Sequence, residues 1–220
     1  MPHIYLIPAW FLGYDVALQF TFAIITMAVS IFAFKVYKLS DQKQSRLFGI
    51  AFLLFSIAYF VQSAMNYAVM TELNEGISRL IQLNNVAILN FVGIYTHILL
   101  FITALVTLVY MSFKTRGPKL WYLVFLLSLF ALLLSANKLY AYYIISSILL
   151  IFVTSHYLMN FLGNKQGKTL MVFVAFTFLL FGSIHFIFSV NHAVFYFIAH
   201  GLEMIAYILI LIDLILIVKK

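Results

Sequence analysis

The stretch from Phe181 to Tyr207, FGSIHFIFSVNHAVFYFIAHGLEMIAY, joins two long apolar runs at the short connection SVNH. It therefore predicts an antiparallel pair of helices. It also holds three of the six histidines, His185, His192 and His200, together with the acid Glu203. A charged group at the centre of a membrane-spanning helix costs about 3 kcal/mol on insertion scales, so such groups usually face a bundle interior or a wet cavity. We expect the functional groups to lie around this segment.

The composition predicts an all-α, polytopic membrane protein. Of the 220 residues, 65% are hydrophobic and 9% are charged, against about 25% charged residues in a soluble domain. No polar segment is long enough for a soluble domain. The chain has no cysteine, which excludes disulfides, thiolate metal sites and cysteine nucleophiles. The formal charge of +7 lies in short loops beside apolar runs, which indicates a lipid bilayer and no nucleic acid as partner.

Seven apolar segments are long enough for a membrane crossing of about twenty residues. We predict one domain, residues 1–220, that consists of a seven-helix transmembrane bundle. The predicted spans are residues 11–36, 47–70, 86–113, 119–136, 139–162, 169–189 and 193–218.

The distribution of positive charge predicts the orientation of the bundle. Eleven of the thirteen lysine and arginine residues fall on one side of the predicted membrane, and Arg79 and Lys138 fall on the other. Positively charged loops remain in the cytoplasm. The N-terminus is therefore predicted outside and the C-terminus in the cytoplasm, in a multi-pass protein of the cell membrane.

Two shorter segments are predicted outside the spans. Residues 1–10, with Pro2, Pro8 and Trp10, are typical of a retained interfacial segment with an aromatic anchor. The connection TELNEGISRLIQLNN carries Ile77, Leu80 and Ile81 at helical spacing. This pattern predicts a short surface helix between the second and third spans.

Polar side chains occur at similar depth on five of the predicted spans, if depth is counted at about 1.5 Å per residue. Asp15 and Gln19 are i and i+4 on one helical face, and Gln62 and Asn66 repeat that arrangement. Because lipid-facing polar groups are costly, we expect an outward-facing cavity with His192 at its mouth. Its expected lining is Asp15, Asn66, His97, His185, His200 and Glu203.

A structural role is the alternative for each of these residues. A lone histidine or glutamine in a membrane helix is more often a hydrogen-bond partner between helices, worth about 0.6 kcal/mol. Asp15 and His192 lie near a predicted surface, where solvation accounts for them. Glu203 needs a partner or a proton, and His200 three residues earlier is the nearest candidate. His156 and Asp213, toward the inner side, favour structural roles.

The same residues suggest two kinds of cofactor. His97, His185, His200 and Glu203 could hold zinc or another divalent ion, since imidazole suits such metals; no HExxH motif is present. A haem b would need two histidines at matching depth, such as His97 with His200 or with His185. The residues expected to contact a small ligand are Asp15, Asn66, His97 and Glu203.

In size and topology the chain looks like a microbial rhodopsin, but its last span has no lysine before Lys219 for a Schiff base with retinal. It also looks like the alkaline ceramidase and adiponectin-receptor superfamily in combining seven spans with buried histidines. The HxxxH element of that superfamily is absent, because His192 and His200 are eight residues apart. Both resemblances are topological, and topology alone does not carry function.

Two functional hypotheses follow. The first is a binding or sensor-like module whose cavity takes a small ligand, metal ion or haem, with a separate cytoplasmic protein as partner. The second is an intramembrane, zinc-dependent hydrolase that acts on lipid, with Glu203 or Asp15 as the acid or base. The sequence shows no catalytic spacing, which favours the first hypothesis.

Overall fold

The computed structural model describes residues 12–74, 79–113, 117–189 and 192–219, and these residues form seven α-helices. This confirms the prediction of an all-helical chain. The helices are α1 (Leu12–Ser40), α2 (Lys43–Asn74), α3 (Arg79–Ser112), α4 (Lys119–Leu134), α5 (Lys138–Asn164), α6 (Gly167–Ser189) and α7 (Ala193–Val218).

The predicted surface helix between the second and third spans is wrong. Helix α3 begins at Arg79 and continues without a break to Ser112, so Leu80 and Ile81 belong to its first turn. Ile77 lies outside the described residues, as does the predicted interfacial segment of residues 1–10. A continuous helix satisfies its own backbone hydrogen bonds along its length, whereas a break would leave several polar groups without partners.

Six of the described helices are long and apolar enough to cross a membrane, as expected of a multi-pass membrane protein. The exception is α4, which has 16 residues. At 1.5 Å per residue α4 is about 24 Å long, shorter than a hydrocarbon core of about 30 Å.

The six long helices form a closed ring around a central axis. Each of them packs against its neighbours in the order α1, α2, α3, α5, α6, α7 and back to α1. Helix α4 stands outside this ring and packs only on α3 and α5 among the described elements. Its large apolar side chains remain exposed, including Leu123, Leu127 and Leu134. That surface is compatible with contact with lipid.

Small residues allow the helices to approach closely. A Cβ atom added to Gly93 of α3 would lie 2.8 Å from Cβ of Met65 on α2, a distance at which the two helices would have to separate. Between α1 and α2, the hydroxyl of Ser56 donates to the carbonyl of Ala23 at 2.8 Å. Helices in lipid associate through such packing and hydrogen bonds because apolar burial gains little there.

Candidate ligand-binding cavity

A cavity of about 360 Å³ lies inside the ring of six helices. It reaches from Asn137, in the connection before α5, to Leu105 of α3 and Leu150 of α5. Every helix of the ring contributes to its wall and α4 does not. The polar lining residues are Gln19, Tyr59, Gln62, Asn66, His97, Asn137, Tyr142, Tyr143, Ser146, Ser183, Tyr196, His200, Glu203 and Tyr207.

Asp15 on α1 is the centre of a buried hydrogen-bond network at one end of the cavity. Its side chain is fully buried. The amides of Gln19 and Asn66 each donate to Oδ2 at 2.8 Å, and the hydroxyl of Tyr196 donates to Oδ1 at 2.7 Å. A buried carboxylate is tolerated where several donors satisfy its oxygens. The network therefore ties α1 to α2 and α7.

His200 lies between two carboxylates. Its Nε2 is 3.3 Å from Oδ1 of Asp15, and its Nδ1 is 3.3 Å from Oε2 of Glu203. The alignment in both contacts is outside hydrogen-bond geometry, and both ring nitrogens and Oε2 of Glu203 have no hydrogen-bond partner among the described residues. All three residues are buried. The arrangement is an ion-pair cluster with unused hydrogen-bonding capacity.

His97 on α3 faces the same cavity from the other side. Its Nδ1 is 3.2 Å from the carbonyl oxygen of Ala58, and its Nε2 is 3.4 Å from the hydroxyl of Tyr142. The ring stacks on Phe101 with 5.4 Å between centroids. Both nitrogens thus face protein groups, which fixes the ring against α2 and α5.

Seven aromatic rings contact one another in a closed circuit around the cavity, which we call the aromatic collar. The centroid distances run from 5.0 to 5.9 Å. Each of the six ring helices supplies at least one member. The collar consists of Phe22, Tyr59, Phe101, Tyr142, Tyr143, Phe186 and His200.

Two tyrosines in the cavity wall join α2 to α7. The hydroxyls of Tyr59 and Tyr207 are 2.7 Å apart, and Tyr207 packs edge-on against Phe22 and Phe52. These rings are buried. A hydrogen bond and an aromatic cluster therefore connect the two helices beside the cavity.

Four of the residues expected in the cavity line it: Asn66, His97, His200 and Glu203. Asp15 lies directly behind them through its contacts with Asn66 and His200. The solvation account of Asp15 is wrong, since its side chain is 0% exposed. The expected proximity of His200 and Glu203 is confirmed at 3.3 Å.

The other two expected members stand apart from the cavity. His185 is not among the lining residues, and its Nδ1 is 2.7 Å from the carbonyl oxygen of Phe181 within its own helix. His192 is exposed at the N-terminus of α7, with its ring near Phe195. The expectation that His185 shares the cavity with His97 and His200 is therefore not met.

Five tyrosines that the sequence pattern did not single out line the cavity: Tyr59, Tyr142, Tyr143, Tyr196 and Tyr207. A usable signal was present on α7, where Tyr196, His200, Glu203 and Tyr207 recur at spacings of three or four residues, as residues of one helical face do.

The described residues contain no group of three His, Asp or Glu side chains placed to hold a metal ion. The proposed set of His97, His185, His200 and Glu203 is divided, because His185 lies outside the cavity. The two histidines of the proposed haem pair, His97 and His200, also direct their ring nitrogens to protein groups. The nitrogens of His97 face Ala58 and Tyr142, and those of His200 face the two carboxylates.

A second cavity of about 380 Å³ lies at the opposite end of the bundle. It is lined by Ser40 at the end of α1, by Gln42 in the α1–α2 connection, and by His156 and Asp213. His156 is 2.9 Å from the amide of Asn160 on the same helix. Helix α7 thus lines both cavities, with Glu203 in the first and Asp213 in the second.

Comparison with known proteins gives no relative: no family model, no curated protein and no solved structure matches the chain.

Proposed function

We propose that this protein is a membrane-embedded binding or sensor-like module whose central cavity takes a small ligand. The observation that supports this proposal is the cavity inside the ring of helices, which has a volume of about 360 Å³. Small-ligand sites have volumes of about 300–1,000 Å³, a largely apolar lining and a few convergent polar groups. Here Asn66, His97, His200 and Glu203 supply the polar groups.

The geometry favours binding over zinc-dependent hydrolysis. A catalytic zinc site needs three protein ligands around an open position, and the described residues do not offer such a group. His200 and Glu203 instead contact each other, and His97 is directed to Ala58 and Tyr142.

Helix α7 offers a physical route from the ligand to the opposite face. It carries His200 and Glu203 in the first cavity and Asp213 in the second, with the buried Tyr207 between them. A ligand that displaced α7 would therefore change both cavities at once. We propose that the second cavity faces the cytoplasm, where a separate protein reads the change.

The chain contains no cysteine, so a single introduced thiol tests whether the cavity admits small molecules. Ser146 is buried and lines the cavity, and Ser146→Cys changes little in volume. We expect this thiol to react with the small neutral reagent methyl methanethiosulfonate. Intact mass spectrometry of the purified protein measures the extent of the reaction. Reaction requires a thiolate and therefore a wet environment.

Ile144→Cys is the matched control, because Ile144 lies two residues away on α5 and faces outward, 37% exposed. Its thiol, in lipid or detergent, should react at least about tenfold more slowly because the thiolate is disfavoured there. If Ser146→Cys is as inert as Ile144→Cys, the cavity is closed to small molecules and the proposed function fails.

The proposed orientation places the α6–α7 connection outside the cell and the α1–α2 connection in the cytoplasm. In intact cells, a cysteine at Ser189 should react with a membrane-impermeant maleimide, and one at Ser40 should react only after the cells are opened. The reason is the excess of lysine and arginine on the side of Ser40. Labelling of intact cells at Ser40 alone would reverse the orientation.

A further inference from the structure

Acidic side chains outnumber strongly basic ones around the cavity. Glu203 lines it and Asp15 lies behind it, while His200 between them can supply at most one positive charge. None of the lining residues in the described part of the chain is a lysine or arginine. Lys138, next to the lining residue Asn137, donates to the carbonyls of Leu133 and Ser135 at 2.7 and 2.6 Å. An anionic ligand would therefore find no lysine or arginine to pair with and would meet the carboxylate of Glu203.

The carboxylate of Glu203 lines the cavity with hydrogen-bonding capacity to spare. Its Oε2 is buried, lies 3.3 Å from Nδ1 of His200 and accepts no hydrogen bond from the described residues. Helix α6 lies close to α7 beside this residue, since a Cβ atom added to Gly182 would lie 3.3 Å from the carbonyl oxygen of Ala199 and 3.5 Å from Cγ of Glu203. Glycine at this position therefore favours the close approach of the two helices next to Glu203.

Aromatic side chains form a large part of the cavity wall. Five tyrosines and three phenylalanines line it, among them Tyr59, Tyr142, Tyr143 and Phe186 of the aromatic collar. The faces of aromatic rings attract ammonium groups, and the attraction is stronger where water is excluded. Cages of such rings are the usual protein site for quaternary ammonium groups.

We propose that the cavity binds a small organic cation of the alkylammonium or quaternary ammonium class, with its charge between Glu203 and the aromatic collar. This inference rests on the proposed function of the cavity as a ligand site. A divalent metal ion fits less well, because it requires several oxygen or nitrogen ligands to replace its hydration shell, whereas an alkylammonium ion is satisfied by aromatic faces and one carboxylate.

The test compares choline with 3,3-dimethylbutan-1-ol, a neutral alcohol of the same shape in which carbon replaces nitrogen. Binding of each to the purified full chain in detergent is measured by isothermal titration calorimetry. We expect choline to bind at least about tenfold more tightly than the alcohol, because cation–π attraction in a desolvated site corresponds to more than a tenfold gain in affinity.

Two pairs of variants assign that preference to residues. Glu203→Gln should reduce the preference for choline several-fold, whereas Asp41→Asn should retain it in full. Asp41 is exposed in the α1–α2 connection with φ 51°, a conformation that asparagine tolerates, so this control removes one negative charge without touching the cavity. Tyr142→Leu should bind choline several-fold more weakly than Tyr142→Phe, which keeps the aromatic ring. Melting temperatures establish that each variant is folded.

The outcomes separate this inference from the proposed function. Equal or tighter binding of the neutral alcohol overturns the cation assignment and leaves the cavity a ligand site. Binding of neither molecule also overturns it, and the reactivity of Ser146→Cys then decides whether the cavity admits ligands at all. A choline preference that is undiminished in folded Glu203→Gln would place the cation elsewhere and overturn the assignment to this carboxylate.

Discussion

Asp15→Ala is expected to lower the free energy of unfolding by about 3–5 kcal/mol, the cost of removing one partner from a buried ion pair. The substitution would leave the donors of Gln19, Asn66 and Tyr196 without their acceptor and His200 without one of its two carboxylates. An unsatisfied buried donor alone costs about 1–3 kcal/mol. Unfolding by SDS in mixed micelles, followed by circular dichroism, measures the change.

The matched control is Asp15→Asn, which retains the shape and one acceptor oxygen. We expect its free energy of unfolding to fall by less than half as much as that of the alanine variant, because the neighbouring amides can rotate to pair with the new amide. The free energy of unfolding of Asp15→Ala could instead lie within about 0.5 kcal/mol of that of the unchanged protein, as expected for a surface substitution. In that case Asp15 does not hold α1 to α2 and α7.

His200→Ala should lower the free energy of unfolding by a similar amount, but for a different reason. Asp15 and Glu203 each contact one nitrogen of the imidazole at 3.3 Å, and its removal leaves two buried carboxylates without the group between them. Breaking a buried pair in this way costs about 3–5 kcal/mol. Glu203→Gln alone should cost less than His200→Ala, because it keeps the shape of the side chain and leaves His200 its contact with Asp15.

The double variant His200→Ala with Glu203→Gln tests this account. If uncompensated charge is the main cost, the double variant should regain part of the stability lost in His200→Ala, by about 1 kcal/mol or more, as coupled neighbours do. Strict additivity of the two single changes would show that His200 acts through packing against Phe22, Phe186 and Tyr196 rather than through charge.

The apolar character of the chain determined its helices. In lipid each backbone polar group must be satisfied within the protein, which leaves the helix as the structure for a run of twenty apolar residues. Each of the seven apolar runs identified in the sequence is helical. Local spacing also determined two contacts: Gln19 donates to Asp15 four residues earlier, and His200 contacts Glu203 three residues later.

The tertiary structure decided which helix is a neighbour of which. The 16-residue α4 is apolar like the helices of the ring, yet it lies outside the ring, and α3 packs directly on α5. Hydropathy contains no information on this choice, because in lipid the association of helices depends on shape complementarity and small residues, such as Gly93 against Met65.

The rotation of each helix was also decided by packing. On α6, Ser183 and Phe186 face the cavity, and His185 between them is offset by about 100° from Phe186 and is directed away. Polarity alone predicted that His185 would face inward and gave no weight to Tyr142 or Tyr143. A histidine can satisfy a ring nitrogen within its own helix, as His185 does at 2.7 Å from the carbonyl oxygen of Phe181. The position of His185 in the sequence therefore determined its place along α6, and the packing of the six helices determined the direction of its side chain.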